Sequence, residues 1–388
     1  MGYVAARGGL DAIEAAENLV RRKRSEGRSS WLEQDQLVER LRLLVDRVMS
    51  EGSLWAPELA ARALRQAEGD PIEAATLLRS HRSTLPRLAV TEPVSADEIE
   101  ILRRIVPAFR TPPGPQLLGR TLDYVGRLLE TTDEDTLRDR SVADALAASE
   151  RTDPVPDRNG SDRNGSDRNG SEHDGSEHDA EDRRPRRLLE LLRDLDLVID
   201  RRNPTDVDPE PYDISRDPVR PGVPRSALLS VMARAEAGAL VNLWYRNILG
   251  PDGHLHEITL GEVRHGSLPV VIAHPATGSP VSVGEIRVTE VEAIEDLDGL
   301  EEDRGRFDVG YGLVAGHDER KAIAMANLDI AVHRDGGRSS LTQSVLLTTD
   351  GLEASGFLEH LKLPHYVTFR SMIERKQAVR TAQSGGPA

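Results

Sequence analysis

A polar repeat in the middle of the chain limits what it can fold into. The unit Asp157-Arg158-Asn159-Gly160-Ser161 occurs three times in succession and then degenerates into Glu-His-Asp-Gly-Ser copies. A tract of this composition has no apolar side chains to bury, so we expect it to be disordered. The sequence therefore predicts a disordered linker over 150–186. It separates an N-terminal domain, 1–149, from a C-terminal domain, 187–376, which a disordered tail follows over 377–388.

The N-terminal segment has the spacing of apolar residues that is typical of α-helices. Helices are predicted over about 10–24 and 57–68. Asp70 and Pro71 are predicted to be the N-cap and the first residue of another helix. After a loop rich in glycine and proline, a further helix is predicted over 121–130. We therefore expect 1–149 to be a helical domain.

The C-terminal segment mixes helical and strand patterns, and from Leu240 onwards the pattern is typical of strands. The apolar alternation changes phase at Gly284, which predicts a β-bulge there. A strand, a glycine turn and a helix capped by Asp318 are predicted over 310–322. The predicted fold class is α+β, with a mixed C-terminal domain that ends in a helix-turn bearing two histidines. The other predicted helices cover 187–199 and 226–237, and the other predicted strands cover 261–264, 268–274 and 281–292.

The composition excludes several classes of protein. The chain has no cysteine, so it cannot hold an iron–sulfur cluster, and any metal must use histidine and carboxylate ligands. It needs no disulfides, which is typical of a cytoplasmic protein. No apolar run reaches the ~20 residues of a transmembrane helix, so we expect no membrane association. The formal net charge of −16 argues against general nucleic-acid binding.

Two histidines near the C-terminus, His360 and His365, are five residues apart, with Pro364 before the second. On an unbroken helix of ~3.6 residues per turn their rings would diverge. Pro364 cannot continue a helix, so we expect a helix that ends near His360 and a sharp turn that returns His365 beside it. Two neutral imidazoles on such a corner suit Zn²⁺. The alternative is that His360 caps the helix and His365 packs as a half-buried aromatic ring.

The residues around this pair, Leu361–Val367, resemble the C-terminal signature of the PhnI family, a core subunit of the carbon–phosphorus lyase complex. In that family the His pair binds zinc, so the resemblance implies His360 and His365 as zinc ligands. The resemblance covers nearly the whole chain apart from the linker. Further segments that resemble the family, in its order, are 45–52, 81–87, 114–124, 284–292 and 310–322.

The resemblance implies a ribose 1-methylphosphonate 5-triphosphate synthase subunit. With its partners, such a subunit displaces adenine from C1′ of ATP with an alkylphosphonate, and alone it is a nucleosidase that uses water. The implied partners are the G, H and J core subunits and the L subunit, with two copies of this chain in the complex. The implied metals are Zn²⁺ at the His pair and Mg²⁺ bound with ATP.

This chemistry needs a carboxylate, because breaking the glycosidic bond places positive charge on the ribose ring. The family pattern that ends in Glu292 contains Glu285 and Glu290, and we predict that one of these two is catalytic. The alternative is that both are solvent-facing strand residues. The predicted substrate-binding residues are Gly312, Gly316, Arg320 and Lys321. For Arg320 and Lys321 the alternative is an ordinary surface position in the first turn of a helix.

Two other functions fit the same residues. The chain could be a non-catalytic scaffold whose His pair completes a metal site at the interface with the radical-SAM subunit. It could also be an independent zinc hydrolase, although catalytic zinc usually takes three protein ligands and this motif supplies two.

Overall fold

The computed structural model describes residues 9–150, 186–199, 201, 212–248, 258–296, 304–335, 339–363 and 365–384. The chain divides into two units, one formed by 1–119 together with 185–388 and the other by 120–184. The predicted linker falls almost wholly outside the described residues, so its disorder and the domain boundaries beside it stay predictions.

The described residues contain 13 α-helices, one short 3₁₀ helix (Ala96–Glu98) and four strands, which confirms the α+β class. None of these helices is long and apolar enough to cross a membrane. The helices are α1 (Gly9–Ser25), α2 (Gln34–Arg40), α3 (Arg42–Gly52), α4 (Pro57–Gln66), α5 (Pro71–Ser83), α6 (Glu134–Glu150), α7 (Leu188–Asp194), α8 (Arg225–Arg234), α9 (Ala237–Ile248), α10 (Glu319–Arg334), α11 (Ser340–Thr348), α12 (Gly351–His360) and α13 (Tyr366–Ser384).

The four strands form one antiparallel sheet in the order β1-β2-β3-β4. Two strands predicted separately are one continuous strand, β2. The predicted bulge is present, because Val270 pairs with Gly284 while Val271 pairs with Ser282, which leaves Val283 as the extra residue. Gly284 has φ +143°, a conformation that favours glycine. The strands are β1 (Glu100–Ile105), β2 (Ile258–Ala273), β3 (Pro280–Asp296) and β4 (Phe307–Ala315).

One face of the sheet packs on α10, and two glycines permit the close approach. A Cβ atom on Gly310 would overlap the carbonyl oxygen of Ala326, and one on Gly312 would overlap that of Ala322. Helices α8 and α9 complete this layer. Its buried apolar side chains include Met232, Leu240, Val263, Val291, Val314, Met325 and Leu328.

The N-terminal helices α3, α4 and α5 form a second apolar cluster, which Leu352 of α12 joins. A local signal places α5 as predicted: the Asp70 carboxylate accepts hydrogen bonds from the Ile72 and Glu73 amides, and Pro71 is the first helical residue. The cluster reaches the sheet through Asp46 of α3, which accepts a hydrogen bond from the Arg287 side chain at 2.5 Å.

Four sequence predictions differ from the structure. The segment 1–149, predicted to be helical, also contains the strand β1, which pairs with β2. The segment after Leu240 is helical through Ile248, since its apolar residues also fit one helix face, and the next described element is β2, from Ile258. No helix covers 121–130. The helix in that region starts at Glu134, where the Asp133 carboxylate accepts from the Thr136 amide at 2.9 Å. The tail predicted to be disordered from 377 continues α13 to Ser384, because no proline or glycine interrupts it before that point.

Candidate functional site

The face of the sheet that points away from α10 is lined by charged side chains. Strand pairing places Glu262 opposite Glu292 and Arg264 opposite Glu290, and Glu292 in turn lies opposite Tyr311 of β4. The four charged residues are each at most 5% exposed. Charged residues are rarely buried unless they are paired, so this face is a candidate for function as well as for stability.

Glu290 lies at the centre of this face, and its carboxylate accepts hydrogen bonds from three of the described side chains. Arg264 donates to Oε2 through Nε at 2.7 Å and also through Nη2. Arg187, which precedes α7, donates to Oε1 at 3.3 Å, and the Tyr311 hydroxyl donates to the same oxygen at 3.0 Å. Burial raises the pKa of Glu290, while the charge of Arg187 and the Tyr311 hydrogen bond act against that increase.

Glu292, two residues further along β3, uses one of its two carboxylate oxygens for hydrogen bonding to the described residues. Its Oε1 accepts from Arg187 Nη1 at 2.9 Å, whereas its buried Oε2 has no hydrogen-bond partner among the described residues. Burial raises the pKa of Glu292 to about 7, with Arg187 acting in the opposite direction and Glu290 adding to the increase. Sequence analysis did not select this residue, although its spacing from Glu290 places both on one face of a strand.

Glu292 lines a cavity of about 210 Å³ at this charged face. Ligand pockets for drug-sized molecules run from ~300 to 1,000 Å³, so this cavity suits one small group rather than a whole nucleotide. Its other polar lining residues are Arg187, Arg193, Arg201, Arg225 and Tyr311.

The two predicted catalytic carboxylates are not brought together. Glu285 is exposed and pairs with Pro269 near the end of β3 that carries the bulge. Its odd offset from Glu290 places it on the opposite face of the sheet.

The predicted glycine turn lies beneath α3. Gly316 has φ +81°, and a Cβ atom there would lie 2.9 Å from the Cβ of Asp46. The Asp46 carboxylate also accepts the His317 amide at 3.1 Å. Gly312 faces α10 rather than a cavity. Both glycines therefore have packing reasons to be glycine.

The two cationic residues predicted to bind substrate, Arg320 and Lys321, lie in different environments in the structure. Arg320 is exposed on the first turn of α10. Lys321 is 1% exposed, and its ammonium group donates to the Ser50 hydroxyl of α3 at 3.1 Å. Burial lowers the pKa of Lys321 to about 8, and the charge of Glu51 opposes that decrease. Asp318 caps the helix as predicted, accepting from the Lys321 amide.

A stacked histidine pair, which sequence analysis did not identify, lies beside this turn. The rings of His265 and His317 are 4.0 Å apart with an interplanar angle of 17°. Thr289 donates its hydroxyl proton to the Gly316 carbonyl at 2.7 Å, so it must accept from His265 Nδ1 at 3.2 Å. Burial, together with the charge of the neighbouring His317, lowers the pKa of His265 to about 4.

Because the pKa of His265 is lowered, we predict that the free energy of unfolding falls in mild acid. The folded-state pKa of about 4 lies below the ordinary histidine pKa of 6.5, so the unfolded chain binds more protons between these values. Stability is therefore retained above about pH 6.5 and lost as the pH falls towards 4, by up to about 1.4 kcal/mol per pH unit from this group. We expect His265→Phe to flatten this decline when urea unfolding is compared at pH 7 and pH 5. An unchanged slope would show that His265 does not contribute.

At the C-terminus the predicted turn is present. α12 ends at His360, and His365 returns so that the two ring centroids are 5.2 Å apart. His365 Nε2 lies 3.2 Å from the His360 carbonyl oxygen. Within the described part of the chain, no group of three or more His, Asp or Glu residues could hold a metal. The pair has the donor chemistry for Zn²⁺ but supplies two ligands, so a complete site needs ligands from elsewhere.

Exposed apolar side chains are frequent on the helices that flank the His pair, α12 and α13. α13 has no buried residue, and large apolar patches on a surface mark interaction sites. The exposed apolar residues on α12, α13 and the turn between them are Phe357, Leu358, Leu361, Leu363, Tyr366, Val367, Phe369, Met372, Ile373 and Val379.

An α+β chain with a buried carboxylate–arginine face and a C-terminal His turn matches one family over residues 2–383, described as bacterial phosphonate metabolism protein (PhnI). The chain belongs to this family, as its sequence motifs predicted. A putative C–P lyase subunit protein, HtxH, from Stutzerimonas stutzeri is 40% identical over 405 residues, covering 100% of both chains. The alpha-D-ribose 1-methylphosphonate 5-triphosphate synthase subunit PhnI of Escherichia coli K12 is 35% identical over 391 residues, covering 99% of this chain and 100% of its own. The subunit of the same name from Rhizobium meliloti 1021 is 35% identical over 402 residues, covering 99% of this chain and 97% of its own.

Proposed function

We propose that this chain is a subunit of a carbon–phosphorus lyase complex that displaces adenine from C1′ of ATP with an alkylphosphonate. Family membership supports the role in phosphonate metabolism. The names of two relatives add the product, ribose 1-methylphosphonate 5-triphosphate. Without a phosphonate, water takes its place and the chain acts as a nucleosidase.

The configuration at C1′ of substrate and product limits the catalytic groups that the protein must supply. The base of ATP is attached in the β configuration, whereas the product in the relatives' name is an α-riboside. One inversion at C1′ needs a single displacement, in which the phosphonate attacks opposite the departing adenine. No covalent intermediate on the enzyme is required. The protein must hold an oxyanion, stabilise positive charge on the ring and protonate the leaving base.

The observation that carries this proposal is the buried carboxylate Glu290 on the arginine-lined face of the sheet. A charge acts more strongly in a water-poor environment than at an exposed strand end, which favours Glu290 over Glu285. Glu290 also holds Arg187, which reaches Glu292 at the cavity through the same Nη1 atom. We assign the ring-stabilising chemistry to this face.

The triphosphate needs cations of its own. Because Arg320 is exposed, we assign triphosphate binding to it, together with Mg²⁺ that arrives bound to ATP. Lys321, Gly312 and Gly316 would instead keep α10 in position through contacts inside the protein. Both assignments follow from where the side chains lie: Arg320 is exposed, and the Lys321 amine contacts Ser50.

A second function, a zinc-bearing docking surface, is favoured by the apolar side chains around His360 and His365. In the cytoplasm this surface would meet other subunits of the complex, G, H, J or the radical-SAM L subunit, with two copies of this chain in the assembly. A partner would supply the remaining zinc ligands. Zn²⁺ there would act as a Lewis acid on phosphonate or phosphate oxygens.

The proposal is tested by incubating the purified complex with ATP, with and without methylphosphonate, and separating adenine from inorganic phosphate. We expect adenine release, with a ribose 1-phosphonate product only when methylphosphonate is present. Phosphate release without adenine would indicate a hydrolase, and release of neither would leave the scaffold role.

A further inference from the structure

We propose that the cavity beside Glu292 binds one tetrahedral oxyanion of the phosphonate or phosphate class, with the Glu292 carboxyl group in its protonated form as a hydrogen-bond donor. The inference rests on the proposed function only for the identity of the natural ligand, because binding is measured without turnover.

Unsatisfied polar atoms concentrate at this cavity. Glu292 Oε2, Arg187 Nε and Arg201 Nε are all buried, and each lacks a hydrogen-bond partner among the described residues. All three residues line the cavity. Leaving a buried polar group without a partner costs about 1–3 kcal/mol, and such groups usually contact water or a ligand. Three at one cavity indicate a site that is completed by something polar.

The charges favour an anion of low charge. Most arginines here are already paired: Arg201 contacts Asp308 at 3.0 Å, Arg225 contacts Asp329 at 2.5 Å, and Arg187 is shared between Glu290 and Glu292. The cavity therefore carries little excess positive charge while Glu292 is ionised. Protonation of Glu292 removes one negative charge and turns a repelling oxygen into a donor.

The surroundings of Glu292 keep that proton within reach of neutral pH. The groups that act on its pKa are Glu290 on its own strand, Glu262 on β2 and Arg187 before α7, while the neutral Tyr311 lies opposite it on β4. Glu290 and Glu262 add to the effect of burial, whereas Arg187 opposes it. An arriving anion would raise the pKa of Glu292 further, so binding should take up a proton.

Size and access fit one small group. The cavity measures about 210 Å³, and the Arg225 side chain, which lines it, is 38% exposed. A cavity of this size with a partly exposed lining residue suits a phosphonate head or one phosphate of a longer chain.

The test is calorimetric titration of the full chain with sulfate, a tetrahedral anion that does not itself titrate near neutrality. From pH 6 to 8.5 we expect affinity to fall by up to about tenfold per pH unit, with proton uptake visible from buffers of different ionisation enthalpy. Glu292→Gln keeps a neutral donor, so it should bind sulfate without pH dependence. Arg225→Gln should weaken sulfate binding on the order of tenfold. Glu58→Gln, an exposed change on α4, should alter neither the affinity for sulfate nor its pH dependence.

Methylphosphonate, inorganic phosphate and tripolyphosphate then distinguish the source of the anion. Displacement of sulfate by methylphosphonate better than by tripolyphosphate indicates the attacking phosphonate, and the reverse order indicates a phosphate of the nucleotide. Three outcomes overturn the inference: no binding of any anion, binding unaffected by Arg225→Gln, or a Glu292→Gln variant that keeps the wild-type pH dependence.

Discussion

Replacement of Glu290 by Gln is expected to lower adenine release by about 10²–10³ in kcat with little change in ATP affinity. The amide keeps the size of the side chain but removes its charge, so the positive charge that develops on ribose loses its buried counter-charge. Arg264 and Arg187 lose an ionised partner at the same time. Adenine release from ATP by the purified complex, measured over a range of ATP concentrations, separates kcat from KM.

Two controls make this result interpretable. Glu262→Gln breaks an equally buried pair on the same face, since Glu262 accepts from Arg104 at 2.8 and 3.3 Å, so it should cost similar stability with a much smaller loss of kcat. Glu285→Gln tests the other predicted carboxylate, and we expect little effect at its exposed position. A loss of kcat confined to Glu285→Gln would assign the chemistry to the bulged end of β3. Wild-type turnover in both the Glu285 and the Glu290 variant would exclude both residues as the catalytic carboxylate.

The double substitution of His360 and His365 by Ala is expected to abolish phosphonate breakdown by the complete complex while sparing adenine release. Two imidazoles are too few for a closed zinc site, so the isolated chain should bind zinc weakly and the complex tightly. Metal analysis of the purified complex, alongside methane release from methylphosphonate, measures both effects. His274→Ala, an exposed histidine in the β2–β3 turn, is the matched control.

The outcomes distinguish two roles for the pair. Zinc retained at the wild-type ratio in the double variant would remove these residues from the metal site. Loss of adenine release together with zinc would assign the metal to the nucleosidase step.

Features set by a few neighbouring residues were predictable from the sequence. Asp70 and Asp318 cap helices because their carboxylates reach amides two or three positions away. The phase change at Gly284 identified the bulge, and a proline between two histidines identified the turn. Each of these depends on local geometry, which a single stretch of sequence contains.

Features that depend on distant segments were not predictable. The apolar run after Leu240 fits a strand or a helix, and packing against α10 decides for the helix. Burial of Lys321 depends on Ser50, which is 271 positions away in the chain. The buried carboxylate of Glu292 is paired with Arg187, which is 105 positions away in the chain. Such contacts leave no periodic signal in either segment.

The order of the strands has a consequence for synthesis of the protein. Within the described part of the chain, β1 is an edge strand that forms a ladder with β2, yet residues 120–184, a separate unit, lie between them in the chain. When β1 leaves the ribosome, its partner has not yet been translated, and non-local pairing of this kind is slow to form. The sheet, and with it the charged face, can therefore be completed only after translation has passed β4. Until then the nascent chain exposes an unpaired strand, a state in which it would be vulnerable to aggregation and would benefit from a chaperone.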